Sequence, residues 1–128
     1  MNFTDEYIEM VSVSDEIQKY CKYEMGDCFR YKDSEPYILE YKPNQTDIDN
    51  IRRYNLKWLP TLEQLFEMLQ GSCCIDKLDD FYHWVITYPY TTINIKFVDL
   101  KVYLLVYLME KNYKKMWNGI GWEDIKNE

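Results

Sequence analysis

The segment VDLKVYLLVYLMEKN, residues 98–112, constrains this chain more than any other. Leu100, Leu104, Tyr107, Leu108 and Lys111 fall near one helical line. Val102, Leu105, Val106 and Met109 make the same helix apolar almost all round. Such a helix is stable where other elements surround it. Its uncharged run, Val102 to Met109, is far shorter than the roughly 20 apolar residues of a membrane span. The rest of the chain must therefore supply partners for a central helix. Lys111, Lys114 and Lys115 favour the carboxyl end of that helix, where the dipole is negative.

Those partners can be read from local pattern. Thr4 is placed to cap a helix over residues 5–23, with Asp5 and Glu6 in the first turn and Ile8, Val11, Ile17 and Cys21 on one face. Ser12, Val13 and Ser14 are mediocre helix formers within it. Residues 28–31 and 37–41 read as two strands around the turn chemistry of Asp33-Ser34-Glu35-Pro36, which gives an antiparallel hairpin. Residues 46–54 fit a short capped helix or a polar loop. In KWLPTLEQLFEML, residues 57–69, Pro60 holds Leu59 extended, and Thr61 with Gln64 has the spacing of a capping box. Leu62, Leu65, Phe66 and Leu69 then keep helical period, and Gly71 is a stop signal, so a helix is predicted over 61–70. A further helix over 76–89 would place Leu78, Phe81, Tyr82, Val85 and Ile86 on one face and stop at Pro89. Residues 90–95 read as a loop or short strand. Trp117 and Trp122 flank a turn.

The fold class expected is α+β: about four helices packed with a small antiparallel β-hairpin, in a single compact domain spanning 1–128. A chain of 128 residues with 47% apolar and 17% aromatic content can bury a real core, and intrinsic disorder is excluded. Thirteen tyrosines supply rings that sit half-buried with a polar tip outward.

Charge is unevenly placed along the chain. Residues 1–50 hold twelve Asp/Glu against five Lys/Arg, which accounts for the whole net charge of −7; the remaining residues hold ten of each. That balance opposes binding to nucleic-acid phosphates and suits a partner with a basic surface. Asp27, Asp33, Glu35, Glu40, Asp47 and Asp49 are the candidate partner-binding residues of such an acidic face.

Several stretches together resemble small proteins encoded by phages and prophages of low-GC Gram-positive bacteria. They are Glu16, Ile17 and Gln18 (an E-I-Q stretch), then Trp58, Leu59, Pro60, Gln64, Leu65, Glu67 and Met68 (W-L-P-x-x-x-Q-L-x-E-M). The ending, Glu110, Lys111, Tyr113, Lys115, Trp117, Gly119 and Trp122, is similar to E-K-Y-x-K-x-W-x-G-x-x-W, with Asn112 inserted after Lys111. The resemblance covers most of the chain. It implies a phage-type accessory protein and brings no catalytic residues.

Chemistry is thinly represented. Asp76, Asp79 and Asp80 lie near the only histidine, His83, and Asp79 with His83 is an i,i+4 pair that could serve a small hydrolase as general base. Cys73 and Cys74 at the same helix start offer a Cys/His pair. No second histidine, nucleophile motif or phosphate loop accompanies them. The four cysteines, Cys21, Cys28, Cys73 and Cys74, lack zinc-knuckle spacing, so neither metal nor cofactor is expected. Asp5, Glu6 and Glu9 interrupt any early apolar run, which is unlike a signal peptide. The expectation is a cytoplasmic, non-enzymatic protein of a bacterial host. It would bind a host or phage protein with a basic surface and contact neither nucleic acid nor membrane. An inhibitor of a nucleic-acid-targeting defence system, anti-CRISPR or anti-restriction, has that profile. A structural or regulatory phage protein is the alternative, and a hydrolase using His83 a further one.

Overall fold

Helix α6, Leu100–Tyr113, is the buried helix that its composition requires. Val102 and every residue from Leu104 to Met109 are buried. Asp99 caps its start by accepting a hydrogen bond from Lys101 N at 3.0 Å. Lys114 closes its end in the left-handed conformation (φ 54°). The computed structural model describes residues 3–70, 73–87 and 99–125. Residues 90–95 and the stop signal Gly71 lie outside them.

The chain gathers into two compact units. One comprises Met1–Met10 and Thr61–Glu128, the other Val11–Pro60. The architecture is mixed α+β. Among the described residues there are six helices and two small antiparallel sheets, where four helices and one hairpin were expected.

The first unit is built on α6. Helix α1, Asp5–Ser12, begins in it, capped by Thr4 as the sequence indicates, with Tyr7 N donating to Thr4 Oγ1 at 3.2 Å. Thr4 Oγ1 also donates to Asp99 Oδ2, which ties the starts of α1 and α6 together. Helix α4, Leu62–Met68, packs on α6. Its capping box is present in both directions: Gln64 N donates to Thr61 Oγ1 and Thr61 N to Gln64 Oε1. Leu65, Met68 and Leu69 are buried, so KWLPTLEQLFEML is largely scaffold. Asn112 Nδ2 donates to Met68 O, tying the end of α4 to α6. Helix α5, Cys74–Thr87, also packs on α6. Strands β4 (Lys115–Trp117) and β5 (Trp122–Asp124) form a hairpin in which Trp117 faces Trp122, rings 5.2 Å apart and edge to face. Trp122 Nε1 donates to Met10 O, which anchors the hairpin on α1.

The second unit holds helix α2, Asp15–Lys19, and helix α3, Gln45–Arg53, with strands β1 (Cys28–Arg30), β2 (Tyr37–Ile38) and β3 (Lys57–Trp58). The expected helix over 5–23 is two helices. Ser14, fully buried, accepts from Ile17 N and restarts the chain as an N-cap. The residues 46–54, open between helix and loop, are helical because Asn44 and Asp47 form a capping box. The hairpin β1–β2 is present, but β3 adds a third strand, in the order β2-β1-β3. Two residues are too few for a period-2 signal, so the sequence does not announce it.

The outer edge of β3 is closed by a side chain. Trp58 N donates to Gln18 Oε1 at 2.8 Å, while Gln18 Nε2 donates to Trp58 O at 2.9 Å and to Val11 O at 3.0 Å. The glutamine of the E-I-Q stretch thus pairs with the tryptophan backbone of the W-L-P stretch, as a neighbouring strand would.

The cysteines divide by burial. Cys21 and Cys28 are buried and Cys73 and Cys74 exposed. Burial pushes the Cys21 thiol up to about 12, the Tyr23 backbone opposes this, and the Asp27 charge adds to the rise. Burial also raises Cys28. Alkylation of the native protein at pH 8 is expected to modify Cys73 and Cys74 alone, with the other two reacting only after denaturation. Intact mass reads this as two adducts before unfolding and four after it.

Candidate functional site

Five of the six candidate acidic residues reach the surface of the Val11–Pro60 unit, and one does not. Asp27 is 3% exposed. Its carboxylate accepts from Glu24 N at 2.8 Å and lies 3.9 Å from Cys21 Sγ, while its backbone N–H donates to Glu24 O. It organises the turn before β1 and is removed from the proposed face. The reason is local: a carboxylate that collects backbone donors satisfies a buried turn. Asp47 is half-exposed and committed to the α3 capping box, accepting from Asn44 N at 3.0 Å. Asp49 is exposed and accepts from Gln45 Nε2. Asp33, Glu35 and Glu40 are exposed, with Arg30 Nη2 4.0 Å from Asp33.

The same unit also carries exposed tyrosines. Tyr31, Tyr37, Tyr41 and Tyr54 are all exposed. Tyr37, Tyr41 and Tyr54 line a cleft of about 230 Å³ together with Asp47 and Asn50. The Tyr31 and Tyr54 rings meet edge to face at 6.5 Å, so Tyr31 continues the same aromatic surface. Partial burial raises the Tyr37 hydroxyl above the ordinary phenol value. The sequence count alone did not find this cleft, because it is made by the end of β2 meeting α3.

Folding also redistributes the charge. The Val11–Pro60 unit holds nine Asp/Glu and eight Lys/Arg, a net of −1, whereas the other unit holds thirteen and seven, a net of −6. The cations of the smaller unit partly lie on its rings: Lys32 over Tyr31, and Arg52 over Tyr23. Any attraction there is local, at Asp33, Glu35, Glu40 and Asp49, and does not come from a bulk acidic field.

The residues considered for hydrolysis lie on α5. His83 Nδ1 is 2.9 Å from Asp79 O and 3.4 Å from Asp79 Oδ1, with both side chains about two-thirds exposed. His83, Asp80, Trp84 and Lys111 line a pocket of about 470 Å³. Two of its other polar side chains have local partners: Trp84 Nε1 donates to Glu110, and Thr87 Oγ1 to the His83 carbonyl. Cys74 stands nine residues before His83, which puts it on the opposite face and roughly 13 Å away along the axis. The Cys/His pair is therefore not assembled. What remains is a water-exposed histidine–carboxylate pair. Among the described residues no group of three or more His, Cys, Asp or Glu is arranged to hold a metal ion. Among them, too, no helix is long and apolar enough to cross a membrane.

Leu78, Phe81, Tyr82, Val85 and Ile86 do share one face of α5, but most of that face is open. Only Trp84 of this helix is buried, while Leu78, Tyr82 and Ile86 are more than half exposed. Helix α6 covers one edge of an apolar arc wider than a single neighbour can cover. Compared with protein-family models, with curated proteins and with solved structures, the chain finds no match.

Proposed function

We propose that this chain is a binding protein, acting without turnover, whose contact surface is the tyrosine–carboxylate face of the Val11–Pro60 unit. The observation that carries the reading is the cleft between β2 and α3, lined by Tyr37, Tyr41 and Tyr54. Exposed Asp33, Glu35, Glu40 and Asp49 belong to the same unit. Tyrosine gives large, rigid contact area at low entropic cost and keeps a polar tip for hydrogen bonding, which is why it is enriched at protein interfaces. The exposed carboxylates of the same unit would select a partner with a basic surface. The phage-type resemblance nominates a nucleic-acid-targeting defence enzyme of a bacterial host, whose substrate groove is basic, with inhibition by occupancy in the cytoplasm. A regulatory or structural phage partner would use the same face.

The test is affinity capture from host lysate with wild-type protein and with the Asp33→Lys, Glu35→Lys, Glu40→Lys, Asp49→Lys variant. All four side chains are exposed, so the circular dichroism spectrum should not change. The specific partner should be lost. Asp27 and Asp47 are left intact because they hold the fold together.

A further inference from the structure

Helix α5 carries a second, uncovered surface in the other unit. Ile75, Leu78, Tyr82 and Ile86 are 76%, 52%, 62% and 53% exposed. Their spacing of three, four and four residues makes one continuous helical stripe. Beside it, α4, α5 and α6 enclose a groove of about 390 Å³, with Phe66, Phe81 and Leu104 among its walls and Leu78 at its edge. Such a stripe and groove match the side-chain ridge of another helix.

The rim says which helix fits. Glu63 and Glu67 stand on the α4 side of the groove, one turn apart and both exposed. Like charges at i,i+4 repel, and no ion pair is found for either among the described residues. Asp79 borders the stripe on its other side, four residues after Ile75. Lys77 lies over the Phe66 ring at 5.7 Å. The unit as a whole carries the −6 surplus.

We propose that this groove docks an amphipathic, basic helix of a partner protein. Its apolar residues at i, i+3, i+4 and i+7 would enter between α4 and α5, and its Lys or Arg side chains would meet Glu63 and Glu67. This site is separate from the tyrosine–carboxylate face and does not depend on it.

The probe is a fluorescein-labelled 18-residue helical peptide of leucine and lysine in that pattern, with a leucine–glutamate peptide of the same pattern as comparison. Fluorescence anisotropy should show saturable binding of the lysine peptide and none of the glutamate one. Glu63→Lys with Glu67→Lys should weaken binding at least tenfold, and Leu78→Asp should abolish it. Glu123→Lys with Asp124→Lys, the same charge change at exposed β5 positions, should leave it unchanged. Equal weakening by the two charge reversals would mean non-specific attraction and would overturn the proposal. So would absence of lysine-peptide binding, or binding of the glutamate peptide. Concentration-dependent self-association abolished by Leu78→Asp would assign the groove to a second copy of the chain and equally overturn it.

Discussion

Gln18→Ala is expected to destabilise the protein by about 2–5 kcal/mol, because it removes partners from backbone groups that have few others within reach. The amide of Gln18 accepts from Trp58 N and donates to Trp58 O and Val11 O. All three bonds are partly shielded from water. Val11 O keeps its bond from Ser14 N, so Trp58 N and Trp58 O are the two groups left unmade, at about 1–3 kcal/mol each. Water can reach a half-buried site, which limits the loss to the lower part of the sum. Gln18→Met, which keeps the length and the apolar stem, should recover little. Gln18→Glu should be no better than alanine, since a carboxylate would face two carbonyl oxygens. Urea denaturation followed by far-UV circular dichroism gives the comparison, as a shift in midpoint with the slope held. A loss below about 0.5 kcal/mol for Gln18→Ala, the range of an ordinary surface substitution, would show that β3 does not need this cap.

Leu105→Ala should cost about 3–5 kcal/mol. Leu105 is fully buried in α6, on a helix whose buried residues run unbroken from Leu104 to Met109. The change removes three carbons and leaves a cavity that the surrounding packing can close only partly. Leu100→Ala on the same helix is the control. Leu100 is more than half exposed, so its loss should stay within about 0.5–1 kcal/mol. Similar effects at the two positions would contradict the central placement of α6.

What was legible in the sequence was what short-range chemistry dictates. The Thr61–Gln64 box, the Thr4 cap and the Cys28–Ile38 hairpin follow from residues a few positions apart. The Ser12-Val13-Ser14 weakness was visible too, but its consequence depended on Ser14 being buried and free to cap Ile17. Longer-range features were not legible. The strand β3 pairs with β1, and Gln18, forty residues earlier, closes its outer edge. Asp27 resembled its acidic neighbours until the turn folded around it. Periodicity marked the apolar arc of α5 as one face, but could not say that α6 covers only the side around Trp84. The charge asymmetry of the linear sequence became nearly neutral in one unit and acidic in the other, because the chain leaves α1 for the second unit and returns at Thr61.

The most direct test of the proposed role is the salt dependence of the complex formed through the tyrosine–carboxylate face. With the captured partner purified, its affinity for wild-type protein and for the fourfold lysine variant is measured between 50 and 300 mM NaCl. These concentrations span a Debye length of roughly 14 to 6 Å. Wild-type affinity should fall as salt rises, the lysine variant should bind at least tenfold more weakly at the lowest salt, and Tyr41→Ala should weaken binding at every salt. Equal affinities for wild type and the lysine variant across the series would contradict the proposed role.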